Sequence, residues 1–121
     1  MNQVPEQAIE RVAAYFQALA EPTRLRILNL LRQQEYNVGE LAHLCGYTAA
    51  NMSKHLALLT QQGFLKREGR GTTVYYQIAD PTISALCDLV CDRIQQQHRN
   101  QAWPSATASK KSPARSAIKS A

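Results

Sequence analysis

The residues able to do chemistry fall into two groups. Cys87 and Cys91 stand four positions apart. On a helix that spacing puts both thiols on one side, with roughly 6 Å between Cβ atoms. A disulfide needs about 3.8 Å, so the pair suits a clamped soft metal ion or arsenite better than a bond inside the helix. Such thiols can also answer oxidants or reactive sulfur. The second group is Thr48, Ala49, Ala50, Asn51, Ser53, Lys54 and His55, followed by Lys66, Arg67 and Arg70. Small residues let a backbone come close to a ligand surface. Asn can pair with adenine and Lys with guanine in a DNA major groove, and the later cations suit phosphates or an adjacent minor groove. His43, His55 and His98 share no ligand spacing, and His55 is read as a DNA-facing residue.

These residues need elements to position them. Ile9, Val12, Ala13, Phe16 and Leu19 recur at helical spacing from Glu6 to about Ala20. Glu21-Pro22 restarts a helix that carries Leu25, Ile27, Leu28, Leu30 and Leu31. Glu35 to Asn37 reads as a connection. A short third helix covers about Val38 to Cys45, closed by Gly46-Tyr47. Thr48 caps a fourth helix that runs to about Gln62, where Gly63 ends it. On this helix Met52, Leu56 and Leu59 lie at i, i+4 and i+7 and must face inward, which leaves Ala49, Ala50, Ser53, Lys54 and Ala57 outward. Phe64–Glu68 and Thr72–Ile78 alternate as two strands around a Gly69-Arg70-Gly71 tip. Asp80-Pro81 opens a last helix with one apolar stripe: Ile83, Leu86, Cys87, Val90, Cys91 and Ile94. The expected fold is mainly α with a small β-hairpin, a winged helix-turn-helix of four helices, two strands and a fifth helix.

The chain has 121 residues, 45% apolar and 19% charged, enough for one domain with a real core. Its net charge of +5 is uneven. Residues 48–78 carry Lys54, Lys66, Arg67 and Arg70 against Glu68 alone, an excess of +3. Residues 100–121 carry Lys110, Lys111, Arg115 and Lys119 and no acid, an excess of +4. Residues 1–99 are expected to form one folded, DNA-binding domain. Residues 100–121, rich in Ala, Ser, Lys and Pro, are expected to be a disordered basic tail that aids DNA association. No apolar run reaches the roughly 18–20 residues of a membrane span, and the N-terminus does not read as a signal peptide. With three cysteines, an odd number, the expectation is a cytoplasmic protein with reduced thiols. No Ser/His/Asp grouping, paired carboxylates or phosphate loop is visible, so no enzyme is expected.

Two stretches resemble the ArsR/SmtB winged-helix repressors. Leu19-Ala-Glu-Pro-Thr-Arg-Leu-Arg-Ile-Leu-Asn-Leu-Leu31 is similar to that family's second-helix signature. Ser53-Lys-His-Leu-Ala-Leu-Leu59, then Gly63-Phe-Leu and Arg67-x-Gly-Arg-x-Thr-x-Val-Tyr-Tyr76, are similar to its recognition helix and wing. The resemblance implies a homodimer held by the first and last helices, bound to an inverted-repeat operator in double-stranded DNA and released by an inducer. Eight phosphate contacts would follow, from Lys54, Lys66, Arg67 and Arg70 of two subunits.

The family's familiar inducer sites are lost at the matching positions. Asn37-Val38-Gly39 and Ala42 stand where one thiol site would be. Asp80 fits a second, zinc-binding site, but Thr82, Arg93 and Gln96 do not complete it. Asn29 and about Gln95 replace a pair of sulfide-sensing cysteines. Cys87 and Cys91 remain. Across a dimer axis they could form a four-thiol cluster or an intersubunit disulfide. Equally, both lie on a stripe the dimer would bury, where free cysteine packs as a small hydrophobe. Cys45 matches a leucine position of the family and is expected in the core. Two alternatives stay open: a winged helix that binds protein rather than DNA, and a DNA-binding protein whose cysteines are purely structural.

Overall fold

A computed structural model describes residues 3–98. The expected basic tail, and the boundary placed at residue 99, lie outside the described residues. The chain runs α1 (Glu6–Leu19), α2 (Pro22–Leu31), β1 (Tyr36–Asn37), α3 (Val38–Cys45), α4 (Ala49–Gln61), β2 (Leu65–Arg70), β3 (Thr73–Ile78) and α5 (Pro81–Gln97).

Local chemistry sets the helix starts. A carboxylate oxygen of Glu21 accepts from the Arg24 amide at 2.9 Å, one residue ahead of the proline that opens α2. Asn37 and Glu40 satisfy each other's backbone at 2.8 and 2.9 Å in a capping box on α3. The Thr48 hydroxyl accepts from the Asn51 amide at 3.1 Å and starts α4, and Asp80 accepts from the Thr82 amide at 2.9 Å and starts α5. Each cap removes an orphan amide that would otherwise need water.

Two expectations about the β region are corrected. The stretch read as a bare connection contains β1, and the sheet has three antiparallel strands in the order β1-β3-β2. Tyr36 pairs with Tyr76 and Asn37 with Tyr75. A strand of two residues has no alternation to detect and exists only through its partner. The hairpin tip also moves. Gly69 pairs with Val74 and Arg70 with Thr73, so the loop is Gly71-Thr72, with Gly71 at φ +65°. Two-residue hairpin loops need that left-handed backbone to match the strand twist.

The core gathers Ile27, Leu28, Leu41, Met52, Leu56, Leu59, Phe64 and Ile83, all essentially inaccessible. Phe64 is its hub. The Tyr15 ring meets it edge-on at 4.8 Å, which anchors α1. The Phe64 amide donates to Leu59 at 3.0 Å, and its carbonyl accepts from Ala79 at 2.9 Å, so the end of α4 and both ends of the hairpin meet there.

The apolar stripes of α1 and α5 are only half covered. Ala18, Leu19 and Ile83 are buried, but Phe16 is 52% exposed, Leu89 68% and Val90 48%, with Ile9 and Val12 also open. Periodicity found both helices without telling what covers them.

Candidate nucleic-acid interface

The turn between α3 and α4 decides how the candidate recognition helix is presented. Gly46 ends α3 at φ +73°, and the Tyr47 amide then donates to Ala42 at 2.9 Å. The Tyr47 hydroxyl is hydrogen-bonded to the hydroxyl of buried Thr23 in the first turn of α2. Its ring lies 5.7 Å from the imidazole of His55, one and a half turns into α4. Tyr47 thus ties the turn to α2 and braces one side of α4. In the sequence Tyr47 reads only as part of a helix stop, and an aromatic residue between the glycine and the capping threonine is its only signal.

With Met52, Leu56 and Leu59 buried, α4 presents Ala49, Ala50, Ser53, Lys54 and Ala57 to solvent, and Thr48 and Asn51 are exposed at its start. His55 differs from its neighbours, being half-buried beside Tyr47. The outward face therefore begins with a capped helix terminus bearing small and polar side chains. Such an end can enter a major groove without steric obstruction.

The wing has two chemically different faces. Leu65, Arg67, Tyr76, Val74 and Ile78 share the face that meets the core, as the pairings Leu65–Ile78 and Arg67–Tyr76 require. Arg67 extends beyond that core with its guanidinium 6.0 Å from the Tyr76 ring centre. Lys66, Glu68, Arg70, Tyr75 and Gln77 occupy the other face. Arg70, expected as an available cation, is engaged there. Both its terminal nitrogens meet the Glu35 carboxylate, and Nη2 also reaches Glu68 Oε1 at 2.8 Å. The guanidinium stacks 4.7 Å above the Tyr75 ring. Gln77 Nε2 donates to Glu35 at 2.7 Å and to Glu68 at 3.1 Å. The Arg70 hydrogen bonds hold the Glu35 carboxyl below its ordinary range, and the two carboxylates push Arg70 further up. Neither Glu35 nor Gln77 was expected at the site, because their partners are 35 and 42 residues away in the chain.

The cysteines separate by environment. Burial pushes the Cys45 thiol up, against a smaller opposing pull from Arg26. Burial also raises Cys87, opposed by Arg32, while Cys91 is exposed on the next turn of α5. Arg32 bonds Asp88 at 2.6 Å and links α2 to α5 beside that thiol pair. Among the described residues, no three His, Cys, Asp or Glu side chains come together as a metal-binding group. A soft ion at Cys87 and Cys91 would have two thiol ligands from this chain.

Residues 21–67 match the family described as "Bacterial regulatory protein, arsR family". The chain is also 30% identical to the solved structure of Rv0081 from Mycobacterium tuberculosis, with a TM-score of 0.74 over 80% of this chain and 98% of that one. The chain belongs to the ArsR family. The homodimeric winged helix-turn-helix DNA-binding domain (fragment 1–100) of Mb0332 from Mycobacterium bovis, described as a possible ArsR-family transcriptional regulator, is 30% identical with a TM-score of 0.72, covering 84% of this chain and 96% of that one. A transcriptional repressor, the SmtB homologue of Synechocystis, is 34% identical over 87 residues, 72% of this chain. That match spans 66% of the relative's own length. The ArsR assignment agrees with the winged helix-turn-helix seen here, and these relatives are regulators rather than enzymes.

Tyr47→Phe removes the partner of a buried threonine hydroxyl and should lower stability by about 1–3 kcal/mol in urea unfolding. A loss below about 0.3 kcal/mol would mean that the hydroxyl pair does not hold the turn.

Proposed function

We propose that this protein is a transcriptional repressor that binds an inverted-repeat operator in double-stranded DNA as a homodimer and leaves it when an inducer binds. The observation that carries this reading is the outward face of α4: Thr48, Ala49, Ala50, Asn51, Ser53 and Lys54 exposed together at a capped helix start. In the proposed complex Asn51, Ser53 and Lys54 meet base edges, and the three small or capping residues let the helix backbone approach. His55 flanks them, held by Tyr47. Lys66 and Arg67 meet phosphates beside the groove. The homodimeric Mb0332 domain and the SmtB homologue support both DNA binding and repression.

The dimer interface is assigned to α1 and α5. Ile9, Val12 and Phe16 on α1 and Leu89 and Val90 on α5 are large apolar side chains left open to water, the kind of surface that an interface covers. The inducer is assigned to Cys87 and Cys91, as a soft metal ion or metalloid bound by both thiols, or as an oxidant or reactive sulfur species. Cys45, half-buried with its thiol pushed up, serves as core packing. Placing the inducer on α5 would join sensing to dimerisation, because the same helix would carry both.

A mobility-shift assay with the DNA upstream of the protein's own gene tests the reading, and no shift at low salt would overturn it. Four phosphate contacts, from Lys66 and Arg67 of each protomer, should give a log–log salt slope of about −3.6. Phe16→Asp should yield a monomer in sedimentation; an unchanged dimer would move the interface off α1. Cys87→Ser and Cys91→Ser should retain DNA binding and lose release by the inducer. Variants that respond like the parent to arsenite, cadmium, peroxide and persulfide would leave the cysteines structural.

A further inference from the structure

The cluster around Arg70 has a geometry unlike that of a side chain waiting for phosphate. Its donors are aimed sideways across the sheet. Glu35 precedes β1, Gln77 lies on the central strand β3, and Glu68 and Arg70 lie on β2. The guanidinium therefore reaches from one edge of the wing over Tyr75 to the opposite edge. Gln77 fills the space between the two carboxylates by donating to both. The cluster ties β2 and β3 to the segment before β1 on the face turned away from the core.

Charge argues the same way. One guanidinium between Glu35 and Glu68 leaves the cluster at −1. Counting Glu35 with residues 48–78 lowers the local excess from +3 to +2. A phosphate that recruited Arg70 would replace a bidentate carboxylate contact and leave two uncompensated carboxylates facing a polyanion. Lys66 and Arg67 carry no such carboxylate contact among the described residues. They can reach phosphate without giving up an ion pair.

We infer that Arg70 is a positioning residue, which holds the wing in register with the segment before β1 through Glu35, Glu68 and Tyr75 rather than contacting DNA. Its role in operator binding rests on the DNA-binding reading above. Its role in wing order does not. The planar fork is essential to the arrangement, because a lysine ammonium can neither bond Glu35 bidentately nor stack in the same way.

Two measurements on the full-length protein test this. In hydrogen exchange without DNA, Arg70→Ala, Arg70→Lys and Glu35→Gln should each speed exchange of the Thr73–Ile78 amides several-fold, while α2 and α4 stay protected. In salt titrations of the upstream DNA fragment, Arg67→Ala should make the slope shallower by about 1.8, one phosphate contact from each protomer. Arg70→Ala should weaken binding and leave the slope as in the parent. A slope reduced by Arg70→Ala as much as by Arg67→Ala would make Arg70 a phosphate contact and overturn the inference. Wing exchange unchanged in Arg70→Ala, or fully protected in Arg70→Lys, would overturn it too. If the parent protein binds no DNA, the repressor reading fails, and the exchange measurement still decides what Arg70 does.

Discussion

Met52, Leu56 and Leu59 lie fully buried in one cluster with Ile27, Leu28 and Leu41, and this burial fixes the rotation of α4 about its own axis. Removing three large side chains from water favours that orientation by several kcal/mol at about 25 cal/mol per Å². Every other feature of the candidate interface follows from it. Once the stripe faces inward, Ala50, Ser53, Lys54 and Ala57 must face outward, because residues at i and i+4 share a side. The Phe64 hub then sets where the helix ends relative to the wing. Hydrogen bonds from Phe64 to Leu59 and from Ala79 to Phe64 leave the hairpin little choice of departure angle.

Around this apolar frame, polar contacts decide how rigidly the surface is offered. Tyr47 and Thr23 join the helix-turn-helix turn to α2 through a pair of hydroxyls. Glu35, Glu68, Arg70 and Gln77 join the wing to the segment before β1. Single exposed ion pairs contribute little, but a bidentate pair backed by an amide and an aromatic ring restricts geometry even where its net energy is small. A DNA-binding wing benefits from that restriction, since less order then has to be acquired on binding.

In the proposed dimer, the exposed apolar residues of α1 and α5 extend the same logic to the next level of assembly. A helix that carries Leu89 and Val90 in the open has a face shaped for something other than water. Cys87 and Cys91 sit on that helix, beside the Arg32–Asp88 bridge to α2. A change at the thiols therefore has a short physical route to the elements beneath the recognition helix. In the proposed sensing role, the raised Cys87 thiol would favour capture by that sulfur at higher pH, because capture requires the thiolate.

Much of the architecture was legible in the sequence because it depends on short-range periodicity and caps. The Met52/Leu56/Leu59 stripe, the Thr48 cap and the Gly46 stop are local signals, and they located the recognition helix to within a residue. Local signals also separated the wing from the helices. What they could not supply was anything defined by a distant partner. β1 is a strand only because Tyr76 and Tyr75 lie opposite it. Arg70 looked like an available cation because Glu35 is 35 residues away in the chain, and Tyr47 looked like punctuation because Thr23 is 24 residues away. The sequence by itself determined which residues are helical, which face of α4 turns inward and where positive charge accumulates. Only the tertiary structure decided which of those charges are already neutralised, since pairing depends on distance in space and a linear pattern records only distance along the chain.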